Sequence, residues 1–341
     1  MNILLTCAGR RNYLIHFFKE ALSNRGKVFV TDTNAGAPSM QEADKAILVP
    51  TVYSPDYMDG LLSICQKHHV KMVIPLNDLE LPILSAARER FHRIGTIPVV
   101  SSQKVIDICF DKWKTYLFAT EQGVGSPKTF TTFDDGKNAI ERNQLAFPLV
   151  IKPRWGTASI AIDVVADLYE MELSYQLTQK RLPRTMLSQI SSSDKERSVL
   201  IQEMLHGQEY GLDVLNDFNG KYVCTFVKRK LGMRAGETDK AITVDSDELQ
   251  AFGRLIGEKL EHIGNLDCDV FVTEKGVYLL EMNPRFGGGY PFSHAAGGNI
   301  PAALIAWAKG EIPDPSWLKV RNDIASAKCD RLVVLNGVKS D

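Results

Sequence analysis

Asp269-Val-Phe-Val-Thr-Glu-Lys-Gly-Val-Tyr-Leu-Leu-Glu281-Met-Asn283-Pro-Arg285-Phe-Gly-Gly-Gly289 decides how this chain is read. Two short β-prone runs, 269–273 and 277–282, flank a Glu-Lys-Gly turn, which predicts a hairpin. Asp269, Glu281 and Asn283 are separated by even steps, so a regular hairpin places them on one face. That face then carries two carboxylates and a carboxamide in otherwise apolar strands. Converging hard oxygens suit Mg²⁺, with Mn²⁺ as the other ion such a set admits. Arg285 adds a fixed cation able to grip anionic oxygens through two parallel hydrogen bonds. A hairpin with a merely solvated polar face is the plainer alternative. Packing alone, however, does not account for Glu-Met-Asn-Pro-Arg-Phe-Gly-Gly-Gly.

Upstream, an apolar run ends at Lys152 and is followed by Pro153-Arg154-Trp155-Gly156-Thr157-Ala158-Ser159, then by another strand-like run. A strand–loop–strand of this kind can close over phosphates, with backbone N–H groups and a lysine facing them. It is not a Walker A loop, because it has one glycine and a strand rather than a helix follows. A lysine at a strand end is also commonly a snorkelling surface residue. Residues 229–240 read as a basic, glycine-containing loop, and the stretch from Lys228 to Arg234 at its start is a second cationic feature. Four cations in seven residues also describe an ordinary solvated face.

The first hundred residues alternate short apolar runs with helical patterns, which predicts a doubly wound parallel sheet. Ligand groups in such sheets gather beyond the carboxyl ends of strands. Three of those ends are polar here: Gly9-Arg10-Arg11, Asp32-Thr33-Asn34 and Asn77-Asp78-Leu79-Glu80. The first lacks Gly-x-Gly-x-x-Gly, and Asn77-Asp78 serves equally well as a helix cap. A terminal strand is expected at 331–335.

A chain of 341 residues with 44% apolar and 24% charged residues has the composition of a soluble protein of two or three domains. A formal charge of -1 provides no attraction to nucleic acid or anionic membranes. The six scattered cysteines form no Cys-x-x-Cys pair, which predicts reduced thiols in a cytoplasmic protein. The N-terminal apolar run is too short for a secretory leader, and no run is long enough to span a bilayer.

In sequence order, Lys112, Lys152 with its small-residue loop, Gln202 to Leu205, Glu209, Asp269, Glu281, Asn283 and Arg285 together resemble the ATP-grasp superfamily. The likeness is strongest to its carbamoyl-phosphate-synthase-like carboxylate–amine ligases. The resemblance implies a pre-ATP-grasp domain over 1–100 and two α+β ATP-grasp subdomains over 101–205 and 206–310, the second holding Mg²⁺. Residues 311–341 are left as an extension. It implies that Lys112 and Lys152 contact nucleotide phosphates and that Trp155, Gly156, Thr157 and Ser159 belong to a phosphate-covering loop. Gln202, Glu203 and Leu205 would meet adenine, and Glu209 the ribose. Lys228 would line the nucleotide site, and Arg285, Lys152 and Arg234 would act on the transferring group. The metal would fall to Asp269, Glu281 and Asn283.

The implied reaction activates a small carboxylate with ATP as an acyl phosphate and joins it to an amine, releasing ADP and phosphate. An amino acid, amino sugar or ammonia is the expected amine, and a homodimer is left open. A carboxylase or kinase of the same fold, or a non-catalytic nucleotide-binding module, are the competing readings.

Overall fold

The computed structural model describes residues 1–156 and 161–335. Its N-terminal part is a parallel sheet of β1 (Asn2–Thr6), β2 (Val28–Asp32), β3 (Lys45–Leu48), β4 (Val70–Pro75) and β5 (Ile97–Pro98), ordered β3-β2-β1-β4-β5. Alternation in β1 shows why it is doubly wound. Ile3 and Leu5 pack toward the helix Asn12–Leu22, whereas Leu4 packs with Leu61, Leu84 and Phe91 on the opposite side. Both faces are apolar, so both need helical cover.

A small antiparallel sheet follows, with order β6-β9-β7-β8: β6 (Thr129–Phe130), β7 (Leu149–Pro153), β8 (Asp163–Val165) and β9 (Val199–Glu203). Leu149, Ile151, Val165 and Ile201 face a core closed by Ala139, Met171 and Tyr175 from two helices. The period of two therefore turns Val150 and Lys152 to the other face.

The third sheet holds β10 (Gln208–Asn216), β11 (Tyr222–Arg234), β12 (Glu237–Thr243), β13 (Gly264–Thr273), β14 (Gly276–Asn283) and β15 (Ala325–Ala327). It is antiparallel, in the order β14-β13-β10-β11-β12-β15. Leu212, Val214, Cys268 and Val270 bury against the helix Asp247–Leu260 and against Val105, Cys109 and Phe118. A register shift between Asp269 and Val270 leaves an extra residue in β14. That bulge lets Leu279 and Met282 both enter the apolar core while Glu281 and Asn283 turn to the opposite face. Phe286, Tyr290, Ile300 and Leu304 share one core with Ile3, Leu5 and Phe18, which joins this sheet to the N-terminal domain.

Two expectations about local structure are corrected. The segment read as a loop, 229–240, is the distal half of β11, a two-residue turn and β12. Ala235 and Gly236 both take positive φ there (50° and 77°), and the irregular pairing around Gly232 broke the alternation a strand normally shows. The C-terminal strand is Ala325–Ala327, paired with β12, whereas Arg331 to Leu335 lie outside any strand.

Candidate active site

Asp269 and Glu281 are register partners across the β13–β14 hairpin, and so are Asp267 and Asn283. The four oxygen-bearing side chains consequently share one face. Lys230, from β11, reaches them from the side: its Nζ lies 2.6 Å from Asp269 Oδ1 and 2.6 Å from Glu209 Oε1. Asn283 Nδ2 donates to Glu281 Oε1 at 3.4 Å. Arg285, immediately past the hairpin, is clamped by Asp78 Oδ2 at 2.8 Å and Asp267 Oδ2 at 3.2 Å.

The opposite wall comes from the helix Lys112–Glu121 and from β7. Asp111 caps that helix by accepting from Trp113 N and Lys114 N, and it also grips Arg154 through two contacts of 2.8 and 2.7 Å. These contacts fix the helix start to the end of β7. Lys112 Nζ donates to Gly156 O and lies 3.6 Å from Glu281 Oε2. Lys152 is buried on the same side, and its charge is felt by Glu281. Trp155 is buried, pairs with Asp111 through its backbone and stacks beneath the Arg154 guanidinium, 4.5 Å from its ring centroid.

Electrostatics tie these groups together. Burial pushes Lys152 down to about 7, with Lys112 adding repulsion and Glu281 opposing it. Burial also pushes Asp269 up, Lys230 pulls it back, and Asp267 and Glu281 repel its charged form. For Glu281 burial acts upward, yet Lys112 and Lys152 prevail and hold it below the ordinary carboxylate range. Arg285 is driven up by Asp78 and Asp267 against the opposing effect of burial.

The hairpin face fits a small divalent cation. Two facing carboxylates and a carboxamide oxygen are hard ligands, and the mutual repulsion of buried carboxylates is what a cation relieves. Among the described residues no three His, Cys, Asp or Glu side chains cluster closely enough to hold a metal by themselves.

The remaining residues singled out from sequence are placed as follows. Lys228 lies on the same face of β11 as Lys230 but deeper: it pairs with Asp213 at 2.6 Å, and Ser293 Oγ donates to the same carboxylate at 2.5 Å. Arg234 is half exposed, bound to Asp330 at 2.7 Å and Asp239 at 3.0 Å. The structure does not bring it to the hairpin face. Gln202 is buried and donates to Thr129 Oγ1 at 2.8 Å, while Glu203 accepts from Lys128 N at 3.1 Å. Leu205 sits in the connection between β9 and β10, which links the small sheet to the large one. Thr157 and Ser159 lie outside the described residues.

Four contributors had no role assigned from sequence. Lys230 was legible as the residue two positions from Lys228, once the segment is a strand. Asp267 is likewise two positions before Asp269. Asp78 and Arg11 come from the N-terminal sheet, and Arg11 donates to Phe286 O just past Arg285. Both lie at strand ends already singled out as polar, and the fold shows that they meet Arg285 and Phe286. Asn77 does cap, its Oδ1 accepting from Leu79 N at 2.9 Å. Glu80 is buried, bound to Thr6 and Tyr57 at 2.8 Å each, and burial pushes it up to about 7.

A doubly wound N-terminal domain, a small antiparallel sheet carrying a buried lysine, and a larger sheet whose hairpin offers acidic ligands make this chain similar to ATP-grasp proteins. Residues 3–100 match the model for the PylC-like N-terminal domain, and residues 195–331 match that for ATP-grasp in the biosynthetic pathway with Ter operon. The carbamoyl phosphate synthase large chain of Campylobacter jejuni is 24% identical over 230 residues, 64% of this chain and 20% of that one. This chain therefore spans about a fifth of that relative's length. A D-alanine–D-alanine ligase of Helicobacter pylori is 27% identical over 210 residues, 57% of this chain and 56% of that one. Among solved structures, the biotin carboxylase domain of Hydrogenobacter thermophilus 2-oxoglutarate carboxylase superposes with a TM-score of 0.71 at 15% identity. The match covers 95% of this chain and 73% of that one, which was crystallised with MgADP, ADP and bicarbonate. No helix among the described residues is long and apolar enough to cross a membrane.

Proposed function

We propose that this protein is an ATP- and Mg²⁺-dependent ligase that activates a small carboxylate as an acyl phosphate and couples it to an amine. The observation that carries this reading is the meeting of Lys112 and Lys152 with Glu281, opposite Asp269, Lys230 and Arg285. Two lysines facing a carboxylate hairpin make a place where polyphosphate charge is neutralised from both sides.

Phosphoryl transfer asks for positioning and charge compensation more than for covalent chemistry. Asp269, Glu281 and Asn283 would hold Mg²⁺, which when bound supplies Lewis-acid neutralisation of phosphate charge. Lys112 and Lys152 orient the terminal phosphates from the β7 side. Lys230, held between Glu209 and Asp269, and Arg285, held between Asp78 and Asp267, present fixed cations to the transferring group and the incoming carboxylate. Both cations are preorganised by carboxylates, so they need no rearrangement when charge shifts. The carboxylate oxygen attacks the γ-phosphorus and ADP leaves. The amine nitrogen then attacks the acyl carbon, expels phosphate and loses a proton, giving an amide. No enzyme nucleophile is required.

The test is product analysis over a panel of carboxylates, bicarbonate included, with amino acids, amino sugars and ammonia. ADP and phosphate released only when both partners are present is the expected result. AMP and pyrophosphate, or no turnover with any pair despite nucleotide binding, would sink the proposal.

A further inference from the structure

The helix Leu168–Arg181 on the small sheet carries two apolar faces, and among the described residues only one is covered. Met171, Ser174, Tyr175 and Thr178 point into the subdomain core. On the opposite side Tyr169, Leu173 and Leu177 are 71%, 50% and 43% exposed. Their spacing of four residues places them in a continuous stripe along the helix. Single exposed apolar residues are ordinary, but three in register along one stripe mark a contact surface.

We propose that this stripe docks against the same stripe of a second copy of this chain, in an antiparallel helix pair about a two-fold axis. Charge argues for that occupant. The N-terminal part of the exposed helix is acidic (Glu170, Glu172) and its last two residues are basic (Lys180, Arg181). A two-fold axis midway between Leu173 and Leu177 sets each leucine against the other leucine of the second copy. The same axis brings Tyr169 alongside the second Arg181, a cation–π geometry, and Glu170 alongside the second Lys180. Parallel pairing would instead align like charges along both flanks. An isologous contact is self-complementary by construction, and this helix is complementary to its own reverse. The patch is smaller than a standard interface, so the expected association is weak and concentration-dependent.

Sedimentation equilibrium of the full chain from micromolar to a few hundred micromolar tests the proposal. Wild type should move from monomer to dimer across that range, and Leu173→Asp should weaken association at least about tenfold. Lys180→Glu and Glu170→Lys should each self-associate poorly, yet an equimolar mixture of the two should dimerise, because antiparallel pairing opposes unlike charges at both ends. Circular dichroism checks that each variant keeps its fold. A wild type monomeric throughout, an association indifferent to Leu173→Asp, or a mixture no tighter than its components would each overturn it. So would a chain that stays monomeric but sediments with phosphatidylcholine vesicles in a Leu173-dependent way.

Discussion

Asp78, just beyond the carboxyl end of β4, accepts from Arg285 Nη2 at 2.8 Å, linking the N-terminal sheet to the residue that follows the acidic hairpin. Both side chains are almost wholly buried, at 10% and 5% exposure. Removing one partner of such a pair leaves a buried charge poorly compensated, which typically costs about 3 kcal/mol. Asp267 still holds the other guanidinium nitrogen, so Asp78→Asn is expected at or below that figure rather than unfolded. Its unfolding midpoint in urea should fall, and ADP formation should drop by about ten- to a hundredfold. Undiminished activity would remove the N-terminal domain from the site.

Glu281 is the side chain on which the site converges, with Lys112 and Lys152 on one side and Asn283 on the other. Glu281→Gln preserves shape and removes the charge. Losing one preorganised electrostatic contact typically lowers turnover about 10²–10³-fold. Thermal stability without nucleotide should fall modestly, because Lys112 and Lys152 lose the carboxylate that compensates them, a loss partly offset by relieved repulsion of Asp269. The stabilisation that MgATP confers on the wild type should shrink sharply. A variant that keeps full turnover would refute the metal assignment.

Much of this was legible from local pattern. The even spacing of Asp269, Glu281 and Asn283, and the strand ending at Lys152, are short-range signals, and both survive folding. The β14 bulge is what produces the expected face: the two-residue turn would otherwise pair Asp269 with Leu280, and the extra residue before Glu281 brings Glu281 opposite Asp269. What escaped was set by long-range contact or hidden by irregularity. Asp78 is 207 positions from Arg285, so no window could pair them. Lys230 was passed over because Gly232 and the register shifts around it made a long strand look like a loop. Composition then favoured Arg234, an exposed guanidinium, over a lysine that the strand buries.

Lys230 and Arg234 therefore separate two accounts of the basic segment. Lys230→Met leaves Asp269 and Glu209 without their shared cation, and turnover should fall about a hundredfold or more. Arg234→Ala breaks surface contacts with Asp239 and Asp330, and activity should stay within about twofold of wild type. Steady-state ADP release from both variants decides it. The reverse ranking would return Arg234 to the site.

Lys152 gives a prediction about protons. Burial and the Lys112 charge hold its ammonium at about 7, against 10.5 for a free lysine. The unfolded chain therefore binds more protons than the folded one between those values. This contribution destabilises the nucleotide-free fold most below about pH 7, and the penalty fades as pH rises toward 10.5. Polyphosphate beside the ammonium restores the charged form. At pH 8 Lys152 is mostly neutral before binding and charged after it, so ATP binding should take up close to one proton. Calorimetry in buffers of different ionisation enthalpy measures that uptake directly. It should vanish in Lys152→Met and decline toward zero in the wild type as pH is lowered to 6, where the lysine is already charged. A wild type that binds ATP at pH 8 with no buffer dependence would place Lys152 away from the phosphates.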